Sequence, residues 1–386
     1  MKVLILDVES TTSNKGNPFD ETNKLCLVGL SGESGVSVFD IDYTDTPNVD
    51  ALQQIQREID SHDLLVGFNI KFDLHWLRNY GLQFSTKRIW DCQLVDFILG
   101  GQSNPYPSLD GVASSFGING KLDTVAGLWE QGIDTCEIPY DILKEYLEQD
   151  LAVTKEVYLK QKELVEARPQ EFQRLISLHN QDIIVLQEME YNGIRFDEAK
   201  CKEFSVQLEG ELKDIDEHLF GYHSIPGFNP NSTDHLSAFL YGGTITIPRR
   251  QVVGTFKSGA RKGLPKEAWV NDVYTLPGIV KPIRGSELKK EGYYSTDDAT
   301  LKQLTAKGKS KEILELVLQR ALLEKRKGTY YDGFPKLRET MNWEESTLHG
   351  QLNQCVVVTG RLSSSRPNLQ NIDKNIKQLF GSRYII

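Results

Sequence analysis

An α/β first domain followed by a mainly helical second domain is the fold class that this 386-residue sequence predicts. Three observations predict it. Residues 2–8, KVLILDV, form an apolar run of strand length bounded by polar residues, as a buried strand does. Residues 138–167 read as one long helix, opened by Pro139 and closed near Pro169. Beyond residue 170 helical spacing dominates, with interruptions at Tyr191-Asn192-Gly193 and across 242–298.

The elements follow in order. LCLVGLSG and GVSVFDI read as two further strands joined by a Gly/Ser turn, residues 50–61 carry helical spacing, and HDLLVGFN reads as a short strand that ends on a turn. The end of the long helix sets the first domain boundary at about 160–170. Residues 242–298 are rich in Gly, Lys, Thr and Val and contain PRR and SGARKG, which marks a β-rich or loop-rich insertion. Helix returns over 298–340, with Leu301, Leu304, Ile313, Leu316, Leu318 and Leu322 near helical spacing. The last forty residues carry a dense polar string. Neither an internal repeat nor a heptad seam is present.

A composition of 39% hydrophobic and 25% charged residues is that of an ordinary soluble globular protein. No apolar run reaches the ~18 residues of a membrane span. MKVLILDVES reads as a first strand rather than a signal peptide, because acidic residues follow the apolar run at once. The five cysteines are far apart in sequence and the seven histidines form no ligand-spaced pair, which disfavours a disulfide framework or a zinc site and suits a reducing cytoplasm. The net charge of −10 is unevenly spread, −13 over residues 1–165 and +3 over 166–386. An acidic half that collects divalent cations and a mildly basic half that holds phosphates fit a DNA enzyme.

Asp7 and Glu9 lie two apart on the expected first strand, so their side chains share a face. Asn69 and Asp73 are four apart, as are Tyr146 and Asp150 on the long helix, which stacks each pair on one side of a turn. Converging carboxylates repel unless cations bridge them, and hard oxygen ligands select Mg²⁺ or Mn²⁺. Two such ions activate a water and stabilise the leaving 3′ oxygen of a phosphodiester, with Tyr146 orienting the water. In this order the three pairs resemble the exonuclease motifs of the DEDD family in its tyrosine variant, on an RNase H-like fold. The resemblance implies a mixed sheet with flanking helices, and catalytic roles for Asp7, Glu9, Asp73, Tyr146 and Asp150. It makes the four carboxylates the ligands of two divalent metal ions and puts Thr11 and Asn69 close to the substrate strand.

Residues 359–372, TGRLSSSRPNLQNI, hold hydroxyls, amides and an arginine, groups that bind phosphates, sugars and base edges. With the preceding LHGQLNQCVVV, where Asn353 and Gln354 stand before an expected strand, the string resembles the signature of family A DNA polymerases of the DNA polymerase I type. Upstream, LQEMEYNGIRFD resembles that family's opening palm helix and turn; FNPNSTDHLSAFLY, YYSTDDATLKQL and LEKRKGTYYDGFPKL resemble thumb segments. The resemblance implies a 3′–5′ exonuclease domain at 1–165 and an incomplete thumb and palm at 166–386, with the insertion at about 245–290. DNA contacts would come from Lys325, Arg326, Lys327, Thr359, Arg361, Ser363, Ser364, Asn368, Gln370 and Asn371.

The chain ends at QLFGSRYII, where the family continues into the strand bearing its first polymerase aspartate. The expectation is therefore proofreading hydrolysis of DNA 3′ ends, with palm and thumb gripping primer–template and no nucleotidyl transfer by this chain alone. Its partners would be a single-stranded 3′ end, primer–template DNA, a C-terminal polymerase fragment and a processivity factor, without a membrane. A short bacteriophage-like form in the host cytoplasm matches a start at the exonuclease. The alternatives are a DNA-binding half of a split polymerase and a stand-alone DNA-end trimming exonuclease. Arg366 in the serine run and Asp373, where proline is usual, depart from the family string.

Overall fold

The structure is a computed structural model and describes residues 1–43, 47–119, 124–220 and 225–381. In chain order the elements are β1 (Val3–Ser10), β2 (Leu25–Gly32), β3 (Gly35–Asp40), α1 (Val49–Ser61), β4 (Leu64–Gly67), α2 (Ile70–Asn79), β5 (Arg88–Asp91), α3 (Cys92–Leu99), α4 (Leu109–Ser115), α5 (Thr124–Glu130) and α6 (Tyr140–Glu166). They continue with α7 (Gln170–Asn192), β6 (Ile194–Arg195), α8 (Glu198–Phe220), α9 (Thr233–Tyr241), β7 (Gly243–Thr255), β8 (Pro265–Leu276), α10 (Asp298–Leu301), α11 (Lys309–Arg326), α12 (Gly333–Thr340), β9 (Thr347–Leu348), β10 (Gln351–Asn353) and β11 (Ser363–Ser365). Two compact units result, Met1–Glu198 with Phe334–Ile386, and Ala199–Gly333. The mixed sheet with flanking helices expected of the first half is present. No described helix is long and apolar enough to cross a membrane.

The first unit is built on a five-stranded sheet in the order β3-β2-β1-β4-β5. β1 pairs antiparallel with β2 and parallel with β4, which places it at the centre. Leu4, Leu6, Val28, Leu30 and Leu65 fill one side of that sheet with Ile55, Leu74 and Trp76, and each fully buried aliphatic side chain there contributes about 1.5–3 kcal/mol. On the other side Leu147 and Leu151 of α6 press onto β2. An added Cβ at Gly29 would lie 2.7 Å from Leu151 Cδ1 and 2.9 Å from Leu147 Cγ, so only glycine lets the helix come this near. Gly29 is also the register partner of Asp7. Gly29→Ala should therefore shift α6 against β1, cost about 1–3 kcal/mol of stability in a urea titration, and lower any activity that needs Asp150 beside Asp7.

α7 ends at Gly193, whose φ of 60° and ψ of −171° belong to glycine alone; a side chain there would also meet Leu348 O at 3.0 Å. The chain then reverses into β6, which pairs with β9 from the C-terminal segment. That segment also makes the β10–β11 pair, with Gln351 opposite Ser365 and Asn353 opposite Ser363. The apolar run at 356–358 was expected to be a strand and is not. Residues 354–362 must turn the chain between β10 and β11, and Val358 remains 64% exposed.

In the second unit α8 and α11 share the ion pair of Arg320 with Asp216. The buried face of α11 carries Leu314, Val317, Arg320 and Leu323, one or two positions away from the expected Ile313, Leu316, Leu318 and Leu322. Arg320 takes a core position because Asp216 and Asn231 satisfy its guanidinium, which sequence spacing does not register. The insertion is a long antiparallel hairpin of β7 and β8 followed by turns.

Candidate active site

β1 alternates, so Asp7 and Glu9 leave the strand on one face while Leu6 and Val8 enter the core. α6 crosses that face and presents Asp150 from the turn after Tyr146. Carboxylate oxygens of Asp7, Glu9 and Asp150 lie within 4.8 Å of one another. Glu9 and Asp150 are buried and Asp7 is half-buried. Two like charges at about 4 Å repel by about 4 kcal/mol at an effective dielectric of about 20, so three ionised carboxylates hold together only with a cation among them. An all-oxygen donor set of this charge fits a hard divalent ion. The group also spans 143 residues of sequence, from Asp7 to Asp150, so it exists only in the folded chain.

Asp73 stands in the first turn of α2 and is not one of those three. It is 2% exposed, and burial pushes its carboxyl well above the usual range, followed by the negative charges of Asp7 and Asp91. Backbone N–H groups of Asp73 and Val8 oppose that shift without cancelling it. Asp73 is thus a fourth acidic group within the field of Asp7. Asn69 precedes α2 with φ of +58°, a left-handed turn that asparagine tolerates, and its N–H donates to Asp91 Oδ1 at 3.0 Å. Tyr146 is 8% exposed, its ring edge-on to Trp129 at 5.7 Å.

Thr11 lies at the exit of β1, where its hydroxyl donates to Asn23 Oδ1 at 2.8 Å and accepts from Lys24 N–H at 2.8 Å. That bonding closes the β1–β2 connection. Cys26 and Cys136, 110 positions apart, bring their sulfurs to 2.9 Å as free thiols, and the hydrogen bond between them and burial raise the Cys26 thiol far above its usual value.

The polar string is partly spent on its own loop. Ser364 is buried; its hydroxyl accepts from Leu369 N–H and donates to Pro367 O. Asn368 caps the next turn by accepting from Gln370 N–H, and Gln370 donates to Leu362 O. Thr359, Arg361 and Asn371 are exposed, and Ser363 is half-buried. In the second unit Lys325 is exposed and Arg326 half-buried, while Lys327 pairs with Asp332 at 2.7 Å, a bond that raises its pKa.

Sequence reasoning missed two groups. Asp91 caps α3 through Gln93 and Leu94 N–H and holds Asn69, and burial pushes it up to about 6. Asp before the apolar run CQLV was its signal, a helix N-cap pattern. Glu190 had none. Its carboxylate accepts from Lys71 Nζ at 2.6 Å, Leu352 N–H at 2.6 Å and His75 Nε2 at 2.9 Å, tying α2 to α7 and β10. Next to this cluster opens a cavity of about 600 Å³, lined among others by Asn69, Phe72, Gln351, Asn353, Ser365 and Arg366.

Residues 1–166, which carry the mixed sheet and its clustered carboxylates, match the 3′–5′ exonuclease family. Residues 276–384 match DNA polymerase family A. The curated relatives the chain matches are DNA polymerase I proteins. It is 32% identical over 188 residues to the thermostable DNA polymerase I of Thermus thermophilus, covering 49% of this chain and 17% of that protein. With DNA polymerase I of Bacillus subtilis it shares 25% identity over 291 residues, 75% of this chain and 27% of the relative. The matches thus span only 17% to 27% of the length of these two curated relatives. In fold it resembles the POL domain of Pol1 from M. smegmatis, solved in complex with DNA primer-template and dNTP, with a TM-score of 0.60 at 18% identity over 99% of this chain and 56% of that one.

Proposed function

We propose that this chain removes nucleotides from DNA 3′ ends by metal-dependent hydrolysis and, through its polymerase segment, holds primer–template DNA. The observation that carries the reading is the convergence of Asp7, Glu9 and Asp150 to within 4.8 Å inside a 3′–5′ exonuclease domain. In this reading Asp7, Glu9, Asp73 and Asp150 hold two divalent ions, Mg²⁺ or Mn²⁺. When bound, such ions supply a nucleophile at neutral pH and stabilise charge on the leaving oxygen. Tyr146, one turn before Asp150, orients the attacking water through its hydroxyl. Asp91 acts on α2 through Asn69 and so positions Asp73.

Selectivity for mispaired ends follows from access. A frayed 3′ end reaches the carboxylates only as a single strand, and the cavity beside Asn69 and Phe72 offers amide, arginine and aromatic groups of the kind that hold one. Arg361 and Thr359, exposed on the loop between β10 and β11, supply phosphate contacts, with Lys325 and Arg326 as further candidates; Asn371 is exposed in the same string. The division of labour we propose is exonuclease at 1–165 and polymerase-type DNA grip at 166–386.

The test is a gel assay on 5′-labelled single-stranded DNA. In Mg²⁺ the strand should shorten progressively from its 3′ end, and excess EDTA should stop the reaction. A duplex with a mispaired 3′ terminus should be trimmed faster than a fully paired one. Full-length DNA after prolonged incubation with Mg²⁺ or Mn²⁺ would leave only DNA binding.

A further inference from the structure

No residue of the β7–β8 hairpin is among the DNA contacts named so far. Its two strands pair from Gly243 opposite Leu276 to Thr255 opposite Pro265, a ribbon about 40 Å long at about 3.4 Å per residue. Residues 243–276 hold six lysines and arginines against two carboxylates, in a chain whose net charge is −10.

That charge is not evenly placed. In the stem Arg249 pairs with Asp272, and Arg250 lies 3.7 Å from Glu267 and over the Trp269 ring. The two carboxylates of the ribbon are therefore used up there. At the tip Lys257, Arg261, Lys262 and Lys266 are all exposed, and no carboxylate among the described residues pairs with them. Four uncompensated cations thus crowd ten residues. The turn that carries them is ordered: Phe256 N–H donates to Leu264 O at 3.0 Å, Gly263 N–H to Phe256 O at 2.9 Å and Lys262 N–H to Gly259 O at 3.1 Å. A fixed backbone means that binding does not first have to order the loop. Like charges so close are unfavourable in the free protein, and a polyanion relieves them.

We propose that the hairpin tip is a DNA contact, with Lys257, Arg261, Lys262 and Lys266 binding the phosphates of duplex DNA. Duplex is favoured by charge density, since two strands present a phosphate charge about every 1.7 Å of axis and one strand about half as many. DNA is favoured over an acidic protein by position, because the family A polymerase match begins at residue 276, the last residue of β8. The proposal rests on the reading that residues 166–386 grip DNA and not on the exonuclease reading, and its test excludes hydrolysis.

Binding of the full chain to a labelled blunt duplex is measured in EDTA between about 50 and 200 mM KCl. Replacing all four cations with glutamine should weaken binding about tenfold or more at the low-salt end. The slope of log Kd against log salt should fall by about 0.9 per lost phosphate contact, hence by about 3–4 in all. A companion in which the three lysines become arginine and Arg261 becomes lysine should keep the wild-type slope. An unchanged slope and affinity in the glutamine variant would overturn the proposal. So would a loss confined to a single strand of the same length, or wild-type binding to polyglutamate that exceeds duplex binding and vanishes with the same changes. If the glutamine variant melts earlier than wild type, Lys257→Gln and Lys262→Gln singly carry the comparison, each with a slope loss of about one.

Discussion

Asp7→Ala should lower the rate of 3′-end removal at least about a thousandfold in Mg²⁺, a loss of about 4 kcal/mol of transition-state stabilisation. Asp7 is the half-buried member of the cluster and the one whose charge reaches both the three-carboxylate group and Asp73. Its removal leaves two of the three oxygens that lie within 4.8 Å, too few to hold a cation tightly. The fold should not suffer. Loss of one negative charge relieves Asp73, so thermal stability in EDTA should be equal to or above that of the wild type, and duplex binding in EDTA should be unchanged or tighter. Single-turnover rates together with a melting curve separate these effects. A variant retaining more than a tenth of the wild-type rate would remove Asp7 from the chemistry.

Glu190→Ala should be the most destabilising single change in the first unit, by about 3–5 kcal/mol, because it leaves half-buried Lys71 and buried His75 facing a void where a carboxylate stood. Burial works against ionisation of Glu190, yet the His75 hydrogen bond and the Lys71 charge together hold its pKa below the ordinary 4.5. His75 is pushed down by burial despite the same bond, so it stays neutral near pH 7. Nε2–H then donates to Glu190, leaving Nδ1 to accept from Gln187, the tautomer that suits both partners. The contact is thus a hydrogen bond, and the ion pair is with Lys71. A depressed carboxylate contributes stability that is fully present above its unfolded-state pKa and is lost as pH falls through the folded value. Urea midpoints of wild type and Glu190→Gln should therefore differ by a constant amount from pH 7 down to about 5 and draw together as the pH falls further, through the lowered folded-state value. A difference that stays constant throughout the acid limb, until both proteins unfold, would mean that the carboxylate charge plays no part.

These two residues also show how far the sequence could be read. Asp7 was legible because a strand has a period of two: once KVLILDV is a strand, Asp7 and Glu9 share a face whatever surrounds them. Tyr146 and Asp150 were legible for the same local reason on a helix. Glu190 was not, since its partners lie 119 positions back at Lys71 and 162 positions ahead at Leu352. The apolar face of α11 was read a position or two out of place, because Arg320 is buried by a partner on α8 that no local pattern announces. The expected strand at 356–358 failed for a related reason: β10 and β11 pair across it, and the pairing makes it a turn.

By itself the sequence determined the strand-and-helix alternation of the first half, the residue pairs that local geometry stacks on one face, and the polar string that resembles a polymerase signature. Periodicity and capping act over a few residues, so one chain suffices to read them. Tertiary structure alone decided that Asp7, Glu9 and Asp150 converge, that Gly29 is the gap through which α6 approaches them, and that four cations of the hairpin tip have no carboxylate partner among the described residues, unlike their stem neighbours. Each of these depends on which distant groups fill the same space, and that is settled by packing rather than by sequence order.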